Sequence, residues 1–405
     1  MKVLTPLIVL LALSSNYLVA KDNITHLDDY LSKNKKEQFS YDYEKIEAQS
    51  SMLRDSWIAP LRLNYSYSKS NPYGNTQTKT STSIRMDQPI FQSGGIYYGI
   101  KFAEASKIYS DYSVDVLKRK LVKDAISLLM EIKQIDLQIQ KQNLVIKNAE
   151  ISLEQKKEQY LNGQLDSGFL DNAMIERNSV IQALYDIETT KERLISKFQT
   201  LSDKDYKTVK IPYLESLDKD EFMKHNISLS ISKSEIEKNR YNKNITIAKY
   251  LPSVNFSAGY NWQSNSTVGT TFTTPKTDFY DYGINISIPI NINTFRDVES
   301  SRVDFLKSQV VKDDKIVELN AIYEQVQQNI KNIEKKKLLA IENENLYQKL
   351  LDDTISLFNA GYKTSYDVDM LSNSVTIQKI DFKIYEIDKQ LELLTLYEMY
   401  KNDKN

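Results

Sequence analysis

The chain has 405 residues, of which only 10 are glycine and 8 are proline. Because these two turn-forming residues supply about 12% of an average protein, we expect few turns and long elements. The chain has no cysteine, and its histidines, His26 and His225, are isolated, which excludes disulfides, thiolate catalysis and zinc fingers. The 53 basic and 54 acidic residues give no excess positive charge for nucleic acid. We expect a protein that is not an enzyme and that binds no metal or cofactor.

Residues 1–20 have the pattern of a secretory signal peptide. Met1 and Lys2 precede an apolar stretch over residues 3–13, and small residues lead from there to Ala20. This stretch is far shorter than the roughly 20 residues that a membrane-spanning helix needs. We therefore expect residues 1–20 to be removed from a chain that is exported across the inner membrane.

Most of the chain has the periodicity of α-helix. Two runs, residues 97–160 and 298–360, are almost free of glycine and proline and place apolar residues in steps of four and three, as coiled coils do. At 1.5 Å per residue, each run predicts a rod of about 100 Å. Four shorter helices are predicted over residues 25–57, 170–201, 221–250 and 366–402. Their lengths are near half that of the rods, so two short helices placed end to end would match one long helix.

Four segments alternate instead with a period of two, over residues 61–68, 82–90, 254–263 and 280–290. In each segment one set of alternate residues is mostly apolar and aromatic, and the other set is polar. This pattern predicts strands with one apolar and one polar face. Each strand is close to the 9–11 residues of a tilted transmembrane strand. The loops between the strands, over residues 69–80 and 265–277, are rich in Ser, Thr, Asn and Gly and are expected to be solvated hairpin tips.

The same order of elements occurs twice along the chain. The prolines at 60 and 252, the Pro-Ile pairs at 89–90 and 289–290, and the glycines at 163 and 361 mark matching positions. These matches predict an internal duplication. We expect a first repeat over residues 21–205, an equatorial linker over residues 206–220 and a second repeat over residues 221–405.

Four strands with one apolar face cannot close a membrane barrel, because the smallest such barrels have eight strands. An open sheet edge in hydrocarbon would leave backbone groups unpaired, so the chain must associate with other copies. Dimers would supply eight strands and trimers twelve, and the polar inner face favours the larger ring with a water-filled lumen.

Several short motifs resemble those of the TolC-like outer-membrane efflux family, in the family's order and over essentially the whole mature chain. The motifs of the first half are Gln88-Pro89-Ile90-Phe91 with Gly94-Gly95, Tyr160-Leu161-Asn162-Gly163, and Leu170-Asp171-Asn172-Ala173. The motifs of the second half are Leu251-Pro252-Ser253-Val254, Asn359-Ala360-Gly361, Thr364-Ser365 and Asp367-Val368. The chain departs from the family in two places: no glycine pair follows the fourth strand, and Asp367 is followed by Asp369 rather than by an acidic residue three positions on.

The resemblance implies a mainly α fold with a transmembrane β part. It implies a homotrimeric α/β-barrel channel-tunnel, with four strands per protomer in a twelve-stranded barrel and a long periplasmic coiled-coil barrel of helices. The implied location is the bacterial outer membrane, in contact with its lipid, with a periplasmic adaptor (membrane fusion) protein and an inner-membrane pump as partners. The implied function is a passive exit duct for small molecules in tripartite efflux.

Two other functions remain open on the sequence. The outer-membrane component of type I protein secretion would have the same architecture. A secreted coiled-coil scaffold or adhesin would account for the helices, although not for the four strands with one apolar face.

The resemblance also suggests site residues at the helix tips. Asp367 and Asp369 are candidates for the periplasmic gate, because Asp367 matches an acidic residue that lines the closed entrance in relatives. The alternative is that they complement the first turn of the last helix. The glycines at 163 and 361 are expected to end helices in the left-handed conformation. The candidate residues for docking the adaptor are Gly163, Ser167, Gly361, Thr364 and Ser365.

On the predicted strands, Arg62, Arg85 and Asp87 lie on the polar faces and are candidates for lining the lumen. Aromatic residues on the apolar faces are expected to contact lipid or the membrane interface. The alternative is that they form the core of a soluble sheet. These aromatic residues are Tyr65, Tyr67, Tyr260, Trp262, Tyr280 and Tyr282.

Overall fold

The structure is a computed structural model that describes residues 24–71, 74, 76–267 and 274–401. A short 3₁₀ helix over Ile24–Tyr30 comes first. The α-helices are α1 (Lys33–Arg54), α2 (Gly95–Leu161), α3 (Ser167–Leu201), α4 (Lys219–Lys224), α5 (Ile227–Ala248), α6 (Thr294–Asn359) and α7 (Ser365–Met399). The strands are β1 (Arg62–Ser70), β2 (Gln77–Phe91), β3 (Ser253–Thr267) and β4 (Thr274–Ser287). The predicted signal peptide, and part of the loop predicted over residues 265–277, lie outside the described residues.

The four strands form one antiparallel sheet in the order β1-β2-β3-β4. Its register aligns alternate residues across all four strands, so that one face is apolar and the other polar. Ile84 lies opposite Leu63 on one side and Tyr260 on the other, and Tyr260 lies opposite Tyr280. These four residues form one row of the apolar face. In the described chain β1 and β4 are the two edges of the sheet.

The helices form a wall one helix thick that continues from the sheet. The long helices α2 and α6 have 67 and 66 residues, α3 and α7 have 35 each, and α1 and α5 have 22 each. Near the sheet, α2 packs between α1 and α5, and beyond the middle it packs between α3 and α7; α6 packs against α5 and α7. None of the helices in the described part of the chain is long and apolar enough to cross a bilayer.

The shorter helices lie end to end, as their lengths predict. The backbone N–H of Ser32, which caps α1, donates to the carbonyl of Leu201 at the end of α3 over 2.8 Å. In the second half, the N–H of Lys401 donates to the carbonyl of His225 over 2.8 Å, just before α5 begins. Each pair of short helices therefore runs alongside one long helix.

The main hydrophobic core lies at the level where the short helices meet. Side chains of α2, α6 and α7 hold the extended segment of residues 203–218 against this core. Gln390 accepts from the N–H of Leu214 at 2.7 Å and donates to its carbonyl at 3.3 Å, and Tyr323 donates to the carbonyl of Leu217 at 3.0 Å. Phe222 of α4 is fully buried in the same core.

Two predicted helices are divided in the structure. The helix predicted over residues 25–57 is a 3₁₀ helix followed by α1, and the helix predicted over residues 221–250 is α4 followed by α5. Each break occurs at a polar residue whose side chain caps the next helix: Ser32 accepts from the N–H of Lys35, and Asn226 from the N–H of Ser228. The last strand also ends at Ser287 rather than at residue 290.

Candidate functional site

The polar face of the sheet holds a cluster of charged side chains around Gly259. In one row across the strands, Arg62 lies opposite Arg85, Arg85 opposite Gly259, and Gly259 opposite Asp281. The guanidinium of Arg85 reaches across Gly259 to the carboxylate of Asp281, with Nη2 and Oδ2 at 2.7 Å. A Cβ at position 259 would lie 3.0 Å from Asp281 Oδ1 and 3.4 Å from Arg85 Nε, so the glycine makes room for this ion pair.

The three charged residues predicted to line the lumen differ in whether they form an ion pair. Asn261 donates from Nδ2 to Asp281 Oδ1 at 2.7 Å, so both oxygens of that carboxylate are used. Within the described ranges neither Arg62 nor Asp87 forms an ion pair. The charge of Arg85 is therefore compensated inside one chain, whereas Arg62 and Asp87 present uncompensated charges on the polar face.

The six predicted aromatic residues all lie on the opposite, apolar face of the sheet. Their exposed fractions range from 36% for Tyr260 to 74% for Tyr282. The rings of Tyr260 and Trp262 are in contact, with centroids 4.6 Å apart, and Tyr280 and Tyr282 are stacked at 6.3 Å. On the same face, Leu63, Ile284 and Ile286 are exposed as well. A continuous apolar surface of this kind is covered by lipid or by another protein in a stable molecule.

The two helical hairpins end in matching turns at the far end of the wall from the sheet. Gly163 and Gly361 have φ of +71° and +79°, in the left-handed region that glycine adopts without strain. The N–H of Gly163 donates to Tyr160 O at 2.9 Å, and the next N–H donates to Gln159 O at 2.8 Å; the turn at Gly361 repeats both bonds. This is the Schellman motif that the Asn-Gly and Ala-Gly sequences predict.

A capping box begins α7 and engages one of the predicted gate residues. The N–H of Thr364 donates to Asp367 Oδ2 at 3.1 Å, and the N–H of Asp367 donates to Thr364 Oγ1 at 3.4 Å. The Thr364 hydroxyl also donates to Asp367 Oδ2, at 2.9 Å. The two hydrogen bonds that the carboxylate accepts from the N–H and the hydroxyl of Thr364 hold the pKa of Asp367 below its usual value. Asp369 is exposed and has no hydrogen-bonding partner among the described residues. The structure thus places Asp367 in the cap and leaves the Asp369 side chain exposed.

The predicted docking residues surround these two turns. Ser167 is the first residue of α3, capped by Asp166, whose Oδ1 accepts from the N–H of Gly168 at 2.6 Å. Ser365 is the first residue of α7, capped by Thr364. Both hairpin ends are exposed and lie at the same end of the wall.

A ladder of polar contacts joins α2 to α7 and was not predicted from the sequence. Its four rungs are Glu158–Tyr366, Asn148–Asn373, Lys141–Asp381 and Gln134–Asp388, with donor–acceptor distances of 3.1, 2.8, 2.7 and 2.6 Å. Burial raises the pKa of Asp388, and the hydrogen bond to Glu158 raises that of Tyr366. The ladder connects the two halves of the chain as far as the hairpin ends.

The four rungs of the ladder join residues 208 to 254 positions apart, and the Arg85–Asp281 pair joins residues 196 positions apart. No local pattern indicates such partners. The roughly heptad spacing of polar residues at 134, 141 and 148 within an otherwise apolar seam is the signal that could have identified the ladder.

The chain is similar in structure to several solved outer-membrane channels. The outer-membrane protein VceC of Vibrio cholerae superimposes with a TM-score of 0.74 at 12% identity, covering 93% of this chain and 96% of that one. For the Campylobacter jejuni channel CmeC the TM-score is 0.72 at 11% identity, with coverages of 95% and 87%. The open state of the Neisseria gonorrhoeae channel MtrE gives 0.63 at 10%, with coverages of 94% and 89%.

Sequence comparison alone does not detect this similarity. No protein-family model matches the chain, and no curated protein matches its sequence. The similarity to the solved channels nevertheless extends over the sheet and the helical wall alike, because it covers more than nine tenths of the chain. The chain therefore has the fold of outer-membrane channels, as the motifs shared with the TolC-like family predict.

Proposed function

We propose that three copies of this chain form a channel through the bacterial outer membrane, with the helical wall extended into the periplasm as a tunnel. The observation that carries the proposal is the sheet, whose apolar face is exposed, whose polar face is charged, and whose two edge strands are unpaired in the described chain. Backbone groups at an open edge have no partners in hydrocarbon. Closure with other copies satisfies these edges and leaves the apolar face towards lipid.

The polar face favours three copies over two. An eight-stranded barrel is just wide enough to be filled by its own side chains. Here the inward side chains include Arg62, Arg85, Asp87 and Asp281, which need water around their charges. Twelve strands from three copies enclose a wider, hydrated lumen. The long helices, of about 100 Å each, continue the same wall away from the membrane.

The duct is passive, and its cargo is supplied by other components. Small molecules would be delivered by an inner-membrane pump and a periplasmic adaptor that docks at the hairpin ends around Gly163 and Gly361. The side chain of Asp369 from three copies would face one axis near these ends and attract cations. We further propose that the chain is a duplication, with repeats over residues 21–205 and 221–405, because the paired helices have nearly equal lengths.

The location and the stoichiometry are tested by one preparation. The protein is expressed with residues 1–20, the predicted signal peptide, in a Gram-negative host. The inner and outer membranes are then separated on a sucrose gradient, and the detergent-extracted protein is analysed by light scattering. The proposal predicts outer-membrane fractionation and a protein mass three times that of the mature chain. A water-soluble monomer would contradict it.

A further inference from the structure

The apolar face of the sheet changes its chemistry towards the β-hairpin tips, the loops between β1 and β2 and between β3 and β4. In β1 the alternate residues of this face, in order towards the tip, are Leu63, Tyr65, Tyr67 and Lys69. An aliphatic residue is followed by two aromatic residues and then by a charged one. The side chain of Lys69 is exposed and forms no ion pair within the described residues. At this tip the apolar face therefore ends in a lysine whose charge is uncompensated.

The apolar face of β4 shows the same order. Its alternate residues towards the second tip are Ile286, Ile284, Tyr282, Tyr280 and Asp278. The carboxylate of Asp278 accepts a hydrogen bond from the hydroxyl of Tyr260 in β3. Asp278 therefore lies at the outer edge of the aromatic residues and is hydrogen-bonded to one of them.

A β-bulge beyond Asp278 brings a second lysine to this face. The register of β3 with β4 shifts between Gln263 and Asn265, where β4 contains one extra residue. Residues 275 and 276 therefore both stand opposite Ser264, which shares the apolar face with Trp262, two positions before it. The side chain of Lys276 is exposed and forms no ion pair with any described residue. The bulge thus places Lys276 on the apolar face, beyond the aromatic residues.

The opposite end of this face differs. Where the sheet meets the helical wall, its outward residues are Leu61, Ile288 and Ile290, which are all aliphatic and exposed. Among the described residues of this face, lysine thus follows the aromatic residues at the tip end of the sheet and not at the wall end. The two ends are suited to different surroundings.

The order of aliphatic residues, aromatic residues and lysine matches the depth profile of a bilayer. Aromatic residues prefer the interface, and lysine extends its ammonium group to the headgroups. Successive outward residues are about 6.8 Å apart along a strand, or about 5 Å in height at a strand tilt near 40°. Lys69 therefore stands about 5 Å beyond Tyr67, and Lys276 about 10 Å beyond Tyr280. Both ammonium groups lie at the level of the headgroups.

We propose that Lys69 and Lys276 bind the phosphate groups of the lipid in the outer leaflet of the outer membrane. In the proposed function, on which this inference rests, the wall extends into the periplasm, so the β-hairpin tips face the outer leaflet. That leaflet is built from lipid A, a glycolipid that carries two phosphate groups. Opposite charge and matching depth identify this lipid as the occupant of the tip end of the apolar face.

Hydroxyl groups lie beside both lysines on the same face. Thr78 lies opposite Lys69, and Ser264 lies opposite Lys276. Lysine combined with serine or threonine hydroxyls is a frequent way of holding phosphate, because the hydroxyls add neutral hydrogen bonds to the charge. Three copies around a barrel present six such lysines to the lipid.

Lys79 provides a matched control on the other face of the same hairpin. It directly follows Thr78 in β2, so it stands at nearly the height of Lys69 but on the polar face, opposite Ser68 and Asn265. Its side chain is exposed and has no ion pair within the described chain. Residue type, height and exposure are the same, and the face differs. A general attraction of anionic lipid to positive charge near the tips would involve all three lysines alike.

The test is a titration of the detergent-purified trimer with diphosphoryl lipid A, followed by native mass spectrometry. A basic residue near an anionic surface strengthens binding about fivefold. The variant Lys69→Gln/Lys276→Gln should therefore lose about fivefold in affinity if the two lysines contact separate lipids, and about 25-fold if they contact one. Lys79→Gln should bind as the natural protein does. Lys69→Arg/Lys276→Arg should retain binding, since arginine keeps the charge.

Lipids without the phosphate groups complete the titration. Dephosphorylated lipid A should bind the natural protein as weakly as diphosphoryl lipid A binds the double glutamine variant. Equal affinity for the two forms, an equal loss in Lys79→Gln, or undiminished binding by the double glutamine variant overturns the inference. Equal affinity for phosphatidylglycerol and diphosphoryl lipid A would contradict the choice of the outer-leaflet lipid.

The mass and the heat stability of each variant without lipid show whether it has folded. If the double glutamine variant is not a trimer, Lys69→Gln and Lys276→Gln are titrated singly, each with an expected loss of about fivefold. All these outcomes leave a trimer in the outer membrane and bear on the lipid site alone. A natural protein that is a water-soluble monomer would instead contradict the proposed function.

Discussion

The ion pair between Lys141 and Asp381 allows the strength of the polar ladder to be measured. Lys141 Nζ lies 2.7 and 2.9 Å from the two carboxylate oxygens, and the side chains are exposed by 36% and 15%. An exposed pair contributes about 0.2–1 kcal/mol, whereas removing one partner of a buried pair costs about 3–5 kcal/mol. This pair lies between those limits. We expect Lys141→Met to cost about 1–3 kcal/mol of local stability, which corresponds to about 5- to 150-fold.

The assay is hydrogen exchange followed by mass spectrometry on the detergent-purified protein, since local opening sets the exchange of amides where α2 and α7 pack together. Amides of α7 on either side of Asp381 should exchange faster in Lys141→Met by this factor. The double variant Lys141→Leu/Asp381→Ala replaces both charged side chains with apolar ones. It should regain protection, because replacing a buried ion pair with apolar side chains is often neutral or stabilising.

The control for these variants is Lys157→Met, because the ion pair that Lys157 forms among the described residues is with the exposed Glu154, at 3.3 Å on the same helix. That change should alter exchange by less than about fivefold. Equal exchange in Lys141→Met and the natural protein would refute the reasoning. The single variants Lys141→Leu and Asp381→Ala complete the comparison. A double variant whose loss of protection equals the sum of these two single losses would also refute the reasoning, since contacting residues are not expected to act independently.

Three further predictions concern the hairpin ends. Tyr366→Phe removes the hydrogen bond to Glu158, so the α6–α7 hairpin should separate more readily from α2 and the resting conductance in a planar bilayer should rise; unchanged conductance would mean that the contact is not limiting. Asp367→Asn with Asp369→Asn should weaken block by divalent and trivalent cations, whereas undiminished block would contradict a gate role for either residue. Because the pKa of Asp367 is lowered in the fold, its stabilising effect is present above the ordinary carboxyl pKa of about 4 and is lost as pH falls through the lowered value. Exchange in the first turn of α7, corrected for intrinsic rate, should therefore increase on acidification in the natural protein and not in Asp367→Asn.

The regular part of the fold was predictable from periodicity. The long helices begin and end within four residues of the prediction, because an uninterrupted apolar repeat and a terminal glycine define them. The prediction located the apolar part of each strand, but β2 begins at Gln77 rather than at residue 82. Residues 77–81 are Gln, Thr, Lys, Thr and Ser, so they have no contrast between faces and are held in the sheet only by pairing with the neighbouring strands.

The breaks at Ser32 and Asn226 were missed because apolar periodicity continues across them. Both are residue types that favour the N-cap position, so a local signal was present. It was outweighed by the assumption that a helix continues until glycine or proline. The breaks are set by tertiary contacts: at each one, the C-terminal end of another helix, α3 or α7, forms a backbone hydrogen bond.

For the residues of the sheet, the sequence predicted the face on which each side chain lies, but not the residue with which it pairs. Alternation assigned Arg62, Arg85 and Asp87 to the polar face. It could not assign Asp281 to Arg85, because that contact requires the register of three strands and the gap left by Gly259. For Asp367 the sequence left capping and gating open, and the capping box confirms the first without testing the second.

The most direct test of the channel is the conductance of the purified protein in a planar lipid bilayer. Three copies around a hydrated, twelve-stranded lumen predict discrete conductance steps of uniform size, which decrease when multivalent cations are added on the side of the hairpin ends. A protein that inserts as a trimer without any conductance, or that remains a soluble monomer and leaves the bilayer silent, would contradict the proposed channel.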